Sequence, residues 1–237
     1  MKSLGRALGT WLLLVAAAAL ALQLFFVARI ALMAWVDPAS TTFQRSEMWR
    51  LATEQHRITW AQAWVDDDRV SAQLKRAVIA SEDAGFASHA GADWDAMEKA
   101  WERNQRAQAR SPARARIVGG STITQQLAKN LLLSGERTVV RKGQELAVTF
   151  MLEALLSKQR ILEIYLNSVE WGEGVFGAQA AARHYFQVDA ARLGAEQSAR
   201  LAVMLPAPKR FEKRPASAYV IGRAATILAR MEDVELP

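Results

Sequence analysis

Hydroxyl, amide and ammonium side chains crowd into one stretch of the chain, GGSTITQQLAKN at residues 119–130. A helix that needs only a cap uses one Ser or Thr, and a core-facing helix uses Leu, Ile or Val, so packing alone does not require this composition. Ile123, Leu127 and Leu131 recur at i, i+4 and i+8. They predict a helix that begins just after Gly120 and turns polar groups toward a ligand, with free N–H groups suited to phosphate. The alternative is a glycine turn followed by a solvated helix face.

A second cluster, EDAGFASHAG at residues 82–91, follows an amphipathic stretch that predicts a helix. Glu82 and Asp83 then stand at the helix C-terminus, where the macrodipole favours cations over carboxylates. A carboxylate held at an unfavourable place is a candidate general base. Taken alone, the pair also fits a solvated loop, and His89 alone fits a structural hydrogen bond.

The two clusters belong to a series of five motifs. Their sequences are E-D-x-x-F-x-x-H-x-G from Glu82 to Gly91, GGSTITQQLAKN, R-K-x-x-E at Arg141, Lys142 and Glu145, KQRILEIYLN at 158–167, and GEGVFGAQAAARHYF at 172–186. In this order and at these gaps the motifs resemble those of the peptidoglycan glycosyltransferases, glycosyltransferase family 51. The resemblance covers about residues 74–211.

The resemblance implies roles for particular residues. Glu82 matches the general base, and Lys129, Arg137 and Arg141 match cations that hold a pyrophosphate. Glu145 matches a second essential carboxylate that orients these cations or a metal; the plain alternative is a surface salt bridge with Arg141. The remaining implied substrate-binding residues are Asp83, Phe86, His89, Ser121, Thr122, Gln125, Gln126, Asn130 and Lys142. The fourth motif is expected to be mostly core, with Glu163 and Asn167 as structural polar contacts, and Gly174 and Gly177 are expected to permit close helix packing.

The reaction that the resemblance implies is polymerisation of glycan chains for the cell wall, by an inverting hexosyltransferase. The 4-hydroxyl of lipid II attacks the anomeric carbon of the growing lipid-linked glycan, and undecaprenyl pyrophosphate leaves. The expected partners are lipid II, the nascent glycan strand and the membrane, without nucleic acid; other cell-wall synthesis or division proteins are left open. No cofactor is implied with certainty, and a divalent cation, Mg²⁺ or Mn²⁺, is left open.

Two other functions fit parts of the sequence. A lytic transglycosylase or muramidase would use Glu82 as a general acid, but it has no pyrophosphate for the lysine of the second motif to hold. A non-catalytic, membrane-anchored cell-wall assembly module would leave Glu82 and Glu145 unexplained. No serine is followed three residues later by lysine, so the Ser-x-x-Lys motif of a transpeptidase domain is missing and a monofunctional enzyme is expected.

The N-terminus predicts a membrane anchor. Residues 7–28 form an uncharged segment, and this segment is long enough to cross about 30 Å of hydrocarbon. Lys2 and Arg6 precede this run and place the N-terminus in the cytoplasm, so the catalytic domain lies outside the cytoplasmic (inner) membrane. A cleaved signal peptide is the alternative, although its apolar core would be shorter. The net charge of +6 fits an anionic lipid-linked substrate, and the absence of cysteine excludes disulfides and thiol catalysis.

The expected fold is all-α, with a lysozyme-like catalytic lobe and a small membrane-associated jaw after one transmembrane helix. Residues 1–36 form the tip and anchor, 37–70 a linker without clear periodicity, and 71–237 the glycosyltransferase domain. The predicted helices cover residues 71–82, 93–110, 122–132, 137–156, 158–168, 174–186, 190–205 and 216–231. In the jaw, Trp94, Met97 and Trp101 form an apolar stripe that fits either core or membrane contact, and residues 111–116 form a basic loop.

Overall fold

The computed structural model describes residues 2–110, 119–136 and 138–237, with the side chains of Lys2 and Ser3 left out. Within these residues the protein is mainly helical, which confirms the predicted all-α class. Arg137 and the basic loop at 111–116 lie outside the described residues, so their predicted roles stay predictions.

The helices in chain order are α1 Lys2–Leu32, α2 Thr42–Glu54, α3 Ala72–Glu82, α4 Trp94–Arg110, α5 Ile123–Leu132, α6 Val139–Leu155, α7 Lys158–Ser168, α8 Ala178–Phe186, α9 Ala195–Met204, α10 Pro208–Phe211 and α11 Ala218–Met231. Short 3-10 helices lie at Asp67–Arg69 and Ala190–Arg192. The strands β1 Ala61–Gln62, β2 Glu170–Gly172 and β3 Val175–Phe176 form a small sheet in the order β1-β3-β2. Strand β3 is parallel to β1 and antiparallel to β2.

The predicted start of a helix at residue 174 is wrong, because the chain turns there before α8 begins. Gly174 and Gly177 have φ angles of +72° and +82°, and a Cβ on either would collide with the backbone of Thr59 or Asn167. Gly174 therefore allows a turn, whereas Gly177 lets the start of α8 approach the backbone of α7 closely, as predicted for helix packing. The predicted helix at 190–205 is also divided, into the 3-10 turn and α9.

Helix α2 lies where the sequence showed no clear period. Its start is fixed by a capping box in which Thr41 and Gln44 exchange hydrogen bonds between side chain and backbone. Its apolar contribution to the interior is Leu51, while Gln44 and Glu47 are buried polar side chains. A helix whose buried face is this polar shows little hydrophobic periodicity, and for this reason the sequence did not reveal it.

The core is built around α7. Its residues Ile161, Leu162, Ile164, Tyr165 and Leu166 are each at most 1% exposed, which confirms that the fourth motif is mostly core. Asn167 binds the backbone of Val65 through both side-chain atoms, and Glu163 accepts from the N–H of Asp67. These bonds confirm the predicted structural roles of Asn167 and Glu163, and they attach the segment before α3 to the core.

Helix α1 is long and apolar enough to be a candidate membrane anchor, over Leu4–Leu32. Its C-terminal part is also a packing element of the folded domain, because Phe26, Ile30 and Met33 are buried in the main core. Arg160 of α7 donates a hydrogen bond to the carbonyl of Met33. The domain therefore holds the last turns of the anchor helix.

Helix α4 carries the predicted jaw stripe. Trp94 and Trp101 are 58% and 66% exposed, so they are not core residues. Met97 is half-buried and packs against Gly120, where a Cβ would lie 3.2 Å from its Cα. The stripe is thus an apolar surface of the described protein, as a membrane contact requires.

Candidate active site

The last residue of α3 is Glu82, which points to the middle of α5. Its Oε2 accepts a hydrogen bond from Gln126 Nε2 at 2.9 Å, and the Tyr165 hydroxyl donates to Gln126 Oε1 at 3.0 Å. Burial holds the pKa of Tyr165 well above its ordinary value, so its hydroxyl stays protonated and fixes the orientation of the amide. Helices α3, α5 and α7 together therefore fix the orientation of the Glu82 carboxylate.

Burial raises the pKa of Glu82 above its ordinary value of 4.5, and the neighbouring charge of Asp83 adds to this effect while Gln126 opposes it. A raised pKa makes the ionised carboxylate a stronger base. The same group remains half-buried rather than enclosed, so a substrate hydroxyl can reach it.

Asp83 lies at the C-cap of α3 and binds within the protein. Its Oδ1 pairs with His89 Nε2 at 2.8 Å, and its Oδ2 accepts from the backbone N–H of Ile123 at 3.0 Å. The N–H of Gly91 donates to His89 Nδ1, so Nε2 carries the ring proton. The anion at the start of α5 is thus the carboxylate of Asp83, where the sequence predicted a bound phosphate.

Thr122 and Gln125 form the cap of α5. Their side chains exchange hydrogen bonds with each other's backbone N–H, and the Thr122 hydroxyl also donates to the carbonyl of Gly91 at 2.6 Å. Both are at most 3% exposed and bonded within the protein, and the substrate contact that the resemblance implied for them stays a prediction. Phe86 is likewise fully buried, beneath the ammonium of Lys158. These three residues shape the site, whereas Ser121 is exposed beside it.

Helix α5 carries the amide that binds Glu82 and a cation on one face. In this helix Lys129 and Asn130 come three and four residues after Gln126, so all three lie on one face. Lys129 is therefore about 4.5 Å further along the helix axis than Gln126, whose amide binds Glu82. Lys129 is exposed, and it lines a cleft of about 690 Å³ together with Asn130 and Arg141. The other walls of the cleft come from α2, β2 and α10.

Helix α6 supplies the third motif. Glu145 is 3% exposed; its Oε2 accepts from Arg141 Nη1 at 2.7 Å, and its Oε1 accepts from Lys142 Nζ. Both carboxylate oxygens are therefore used to hold two cations. The predicted pairing of Arg141 with Glu145 is confirmed, and burial of the carboxylate distinguishes it from a solvated surface pair.

The cleft also contains ionisable groups that sequence reasoning missed. Glu47 of α2 and Glu170 of β2 both approach Lys209 of α10, and Glu170 Oε1 lies 3.5 Å from Lys209 Nζ. Burial raises the pKa of Glu170 to about 7. Neither glutamate lies in a stretch with a chemical pattern, and only the approach of α2, β2 and α10 brings the three together.

Glu153, near the end of α6, is a further missed residue. Its Oε1 accepts from the Thr124 hydroxyl at 2.6 Å and from Lys158 Nζ at 2.8 Å. Its side chain also fills the space where a Cβ on Gly91 would lie. Glu153 thus connects the end of the first motif and the middle of the second with the start of the fourth.

The residues described do not fit a metal ion held by protein ligands alone. No group of three or more His, Cys, Asp or Glu side chains in the described ranges is close enough to form such a site. Glu145, the carboxylate that the resemblance associates with a metal, is already bound to two cations. We therefore assign no step to a metal.

Comparison with known proteins agrees with this geometry. The family described as Transglycosylase matches residues 50–232. Proteins named biosynthetic peptidoglycan transglycosylase from Burkholderia orbicola (strain MC0-3) and Burkholderia thailandensis are each 56% identical over 223 residues, which cover 94% of this chain and 88% and 84% of theirs. The protein of that name from Burkholderia pseudomallei (strain K96243) is 54% identical over 98% of this chain and 90% of its own length. The chain belongs to the transglycosylase family, the peptidoglycan glycosyltransferases of family 51 that its five motifs resemble.

Proposed function

We propose that this protein is a membrane-bound peptidoglycan glycosyltransferase that polymerises glycan chains from lipid II. The observation that carries the proposal is the arrangement on α5, where Gln126 holds the Glu82 carboxylate and Lys129 follows on the same face, lining a cleft together with Arg141. A base beside two cations suits transfer of a sugar from a pyrophosphate to a hydroxyl.

Glu82 acts as the general base in this proposal. Its carboxylate accepts the proton of the acceptor sugar's 4-hydroxyl while the hydroxyl oxygen attacks the anomeric carbon of the growing glycan. The raised pKa matches the carboxylate to this task, because a base with an ordinary carboxyl pKa accepts protons less readily near neutral pH. Gln126 and Tyr165 hold the Glu82 carboxylate in one orientation during the reaction.

Lys129 and Arg141 stabilise the departing undecaprenyl pyrophosphate. Negative charge grows on the pyrophosphate as the glycosidic bond breaks, and fixed cations in the cleft counter it without reorganisation. Glu145 binds Arg141 and Lys142 from beneath and holds their positions, so we assign it a positioning role. Arg137 is proposed as a further cation on the evidence of its motif alone.

The anchor sets the location of the reaction. Lys2 and Arg6 before the apolar span favour a cytoplasmic N-terminus, which leaves the catalytic domain on the outer face of the cytoplasmic membrane. The exposed Trp94 and Trp101 of α4 are then a second, membrane-facing surface of the jaw. Both features keep the cleft near a lipid-linked substrate.

The test is to incubate the full chain in detergent with lipid II and, separately, with finished peptidoglycan. We expect polymer from lipid II and no cleavage of peptidoglycan. Cleavage without polymer would identify a lytic enzyme, and neither product would favour a non-catalytic assembly module.

A further inference from the structure

Helix α1 changes its surroundings at Gln23. The side chains at residues 4–22 are exposed, whereas Phe26, Ile30 and Met33 beyond them are buried in the domain. At 1.5 Å per residue, residues 4–22 are about 28 Å long, close to the hydrocarbon thickness of about 30 Å. The part of α1 that is exposed on every side thus ends where the folded domain begins, and beyond it only one face, with Leu24 and Phe25, stays exposed.

A reciprocal amide pair lies at this boundary. Gln23 Nε2 donates to Gln144 Oε1 at 3.0 Å, and Gln144 Nε2 donates to Gln23 Oε1 at 3.1 Å. Helix α6 runs beside α1 in the same direction, because Arg160, which follows α6, reaches the carbonyl of Met33. Residues that precede Gln144 in α6 therefore lie beside the exposed, lipid-length part of α1.

The residues in that position are apolar and unusually exposed. Val139 and Val140 begin α6 with 89% and 84% of their surface exposed. Val140 is four residues before Gln144 and so lies on the face directed at α1. Its exposure shows that the two helices diverge below the amide pair, which leaves room for lipid between them.

We propose that the Gln23–Gln144 pair marks the outer edge of the hydrocarbon core and that Val139 and Val140 enter the outer leaflet beside α1, with lipid acyl chains as their partner. By helix rise, Val139 lies about 7.5 Å below the pair, within the 5–10 Å to which an interfacial helix sinks. By the same rise Arg141 and Lys142 lie about 4.5 and 3 Å below the pair, from where their long side chains can reach the headgroups. This inference rests on the proposed function, since it holds the cations at the height of a lipid pyrophosphate.

The depth of a single residue in the membrane can be measured with a label on an introduced cysteine, because the chain has no cysteine of its own. Val139→Cys, Val140→Cys and, as control, Ile221→Cys of α11 are each labelled with a small fluorophore and placed in phosphatidylcholine–phosphatidylglycerol vesicles. Lipid carrying a nitroxide high on its acyl chain should quench the labels at 139 and 140 at least about twofold more than the label at 221, as expected for insertion at the headgroup–acyl boundary. Aqueous iodide should show the opposite order. Equal quenching at all three positions overturns the proposal.

The amide pair is tested in the same vesicles with the full chain. A short thiol crosslinker should join the two helices within one molecule of the Gln23→Cys/Gln144→Cys variant, detected as a shifted band on a gel. The Gln23→Cys/Ile221→Cys variant should give no such link. Failure of the first pair to link, with both thiols reactive, contradicts the proposed boundary.

Polymerisation of lipid II by the unlabelled chain separates this inference from the proposed function. If polymer forms while the labels at 139 and 140 stay in water, the membrane seating is wrong and the function stands. If those labels lie in lipid and no polymer forms, the seating stands and the proposed function is wrong.

Discussion

At the residue scale, the site depends on how one carboxylate is supported. Glu82 ends a helix, and its charge is held by the side chain of Gln126 rather than by a cation. A cation at that distance would lower the pKa and weaken the base, whereas an amide sets direction with a smaller electrostatic effect. The pKa of Glu82 therefore stays raised by burial.

We predict that Glu82→Gln lowers the polymerisation rate at least about 10²-fold, because the amide cannot accept the proton. The rate of the unchanged protein should rise with pH through a limb above 4.5, since the pKa of Glu82 lies above that value and only the ionised form is active. The residual rate of the variant should lack this limb. Rates across a pH series with lipid II provide the measurement.

The control for this prediction is binding of lipid II, which the variant should retain together with its helical content. Asp83→Asn should reduce the rate less, since Asp83 bonds to His89 and to the N–H of Ile123. A Glu82→Gln protein as fast as the original, alongside an inactive Glu145→Gln protein, would move the base to the other carboxylate.

Lys129→Ala is predicted to raise the barrier to polymerisation by about 2–4 kcal/mol, the usual cost of removing one preorganised charge stabiliser. Lys129→Arg should recover only part of the rate, because a planar guanidinium replaces a compact ammonium. Lys213→Ala, an exposed cation outside the proposed site, is the matched control. Initial rates with lipid II give the comparison, and unchanged turnover in Lys129→Ala would remove this residue from the site.

At the element scale, α5 is positioned by contacts at both of its faces. Glu153 of α6 holds Thr124 of α5 and Lys158 of α7, while Gln126 on the other side holds Glu82. The Glu153 and Lys158 side chains are only 10% and 19% exposed. A shift of α5 would move Gln126, which binds Glu82, together with Lys129.

Glu153→Gln should therefore destabilise the protein by about 1–3 kcal/mol, because it leaves the Lys158 charge mostly buried without its partner. Glu153→Gln/Lys158→Met should recover part of this loss. Thermal unfolding in detergent is the measurement, and Glu102→Gln in the exposed pair with Arg106 should change stability by less than about 0.5 kcal/mol. Equal effects of the two single changes would contradict a special role for Glu153.

Truncation of α1 tests where the anchor ends. Deletion of residues 1–22 should leave a stable domain, whereas deletion of 1–36 also removes Phe26, Ile30 and Met33 from the core. Burying three such side chains contributes about 1.5–3 kcal/mol each, so the shorter protein should lose at least about 4 kcal/mol of unfolding free energy. Denaturant unfolding of both proteins in detergent compares them, and equal midpoints would show that the last turns of α1 are dispensable.

At the scale of the whole molecule, the excess of positive charge and the apolar helix both suit a protein that binds to a membrane. The net charge is +6, and the one candidate membrane span among the described residues is near the N-terminus. The cleft lined by Lys129 and Arg141 belongs to the domain that packs on the end of this span. This arrangement fits the proposed anionic, lipid-linked substrate, which would approach these two cations from the membrane.

The topology predicts the behaviour of reporters fused after Pro237. A reporter that functions only outside the cytoplasm should be active, and one that functions only in the cytoplasm should be silent, because the positive charges of Lys2 and Arg6 favour a cytoplasmic N-terminus. Exchanging Lys2 and Arg6 for glutamate provides the control and should weaken the orientation. Activity of the cytoplasmic reporter in the unchanged chain would reverse the proposed topology.

Local signals in the sequence determined much of this protein. The apolar run, the all-α class, most of the later helices, the cap at Ser157 and the i,i+4 pair of Arg141 and Glu145 follow from neighbours within a few residues. The family followed from the order and spacing of five motifs. These features need no knowledge of how distant segments meet.

The tertiary structure decided which motif residues are buried in the protein and which are accessible. Thr122, Gln125 and Phe86 lie in conspicuous motifs but are buried, whereas Tyr165, in an apolar run, binds the amide that holds Glu82. Helix α2, the turn at Gly174 and the docking of α1 onto α6 were also invisible locally. In each case the physical reason is the same: hydrogen bonds and burial between segments far apart in the chain leave no period or local pattern in the sequence.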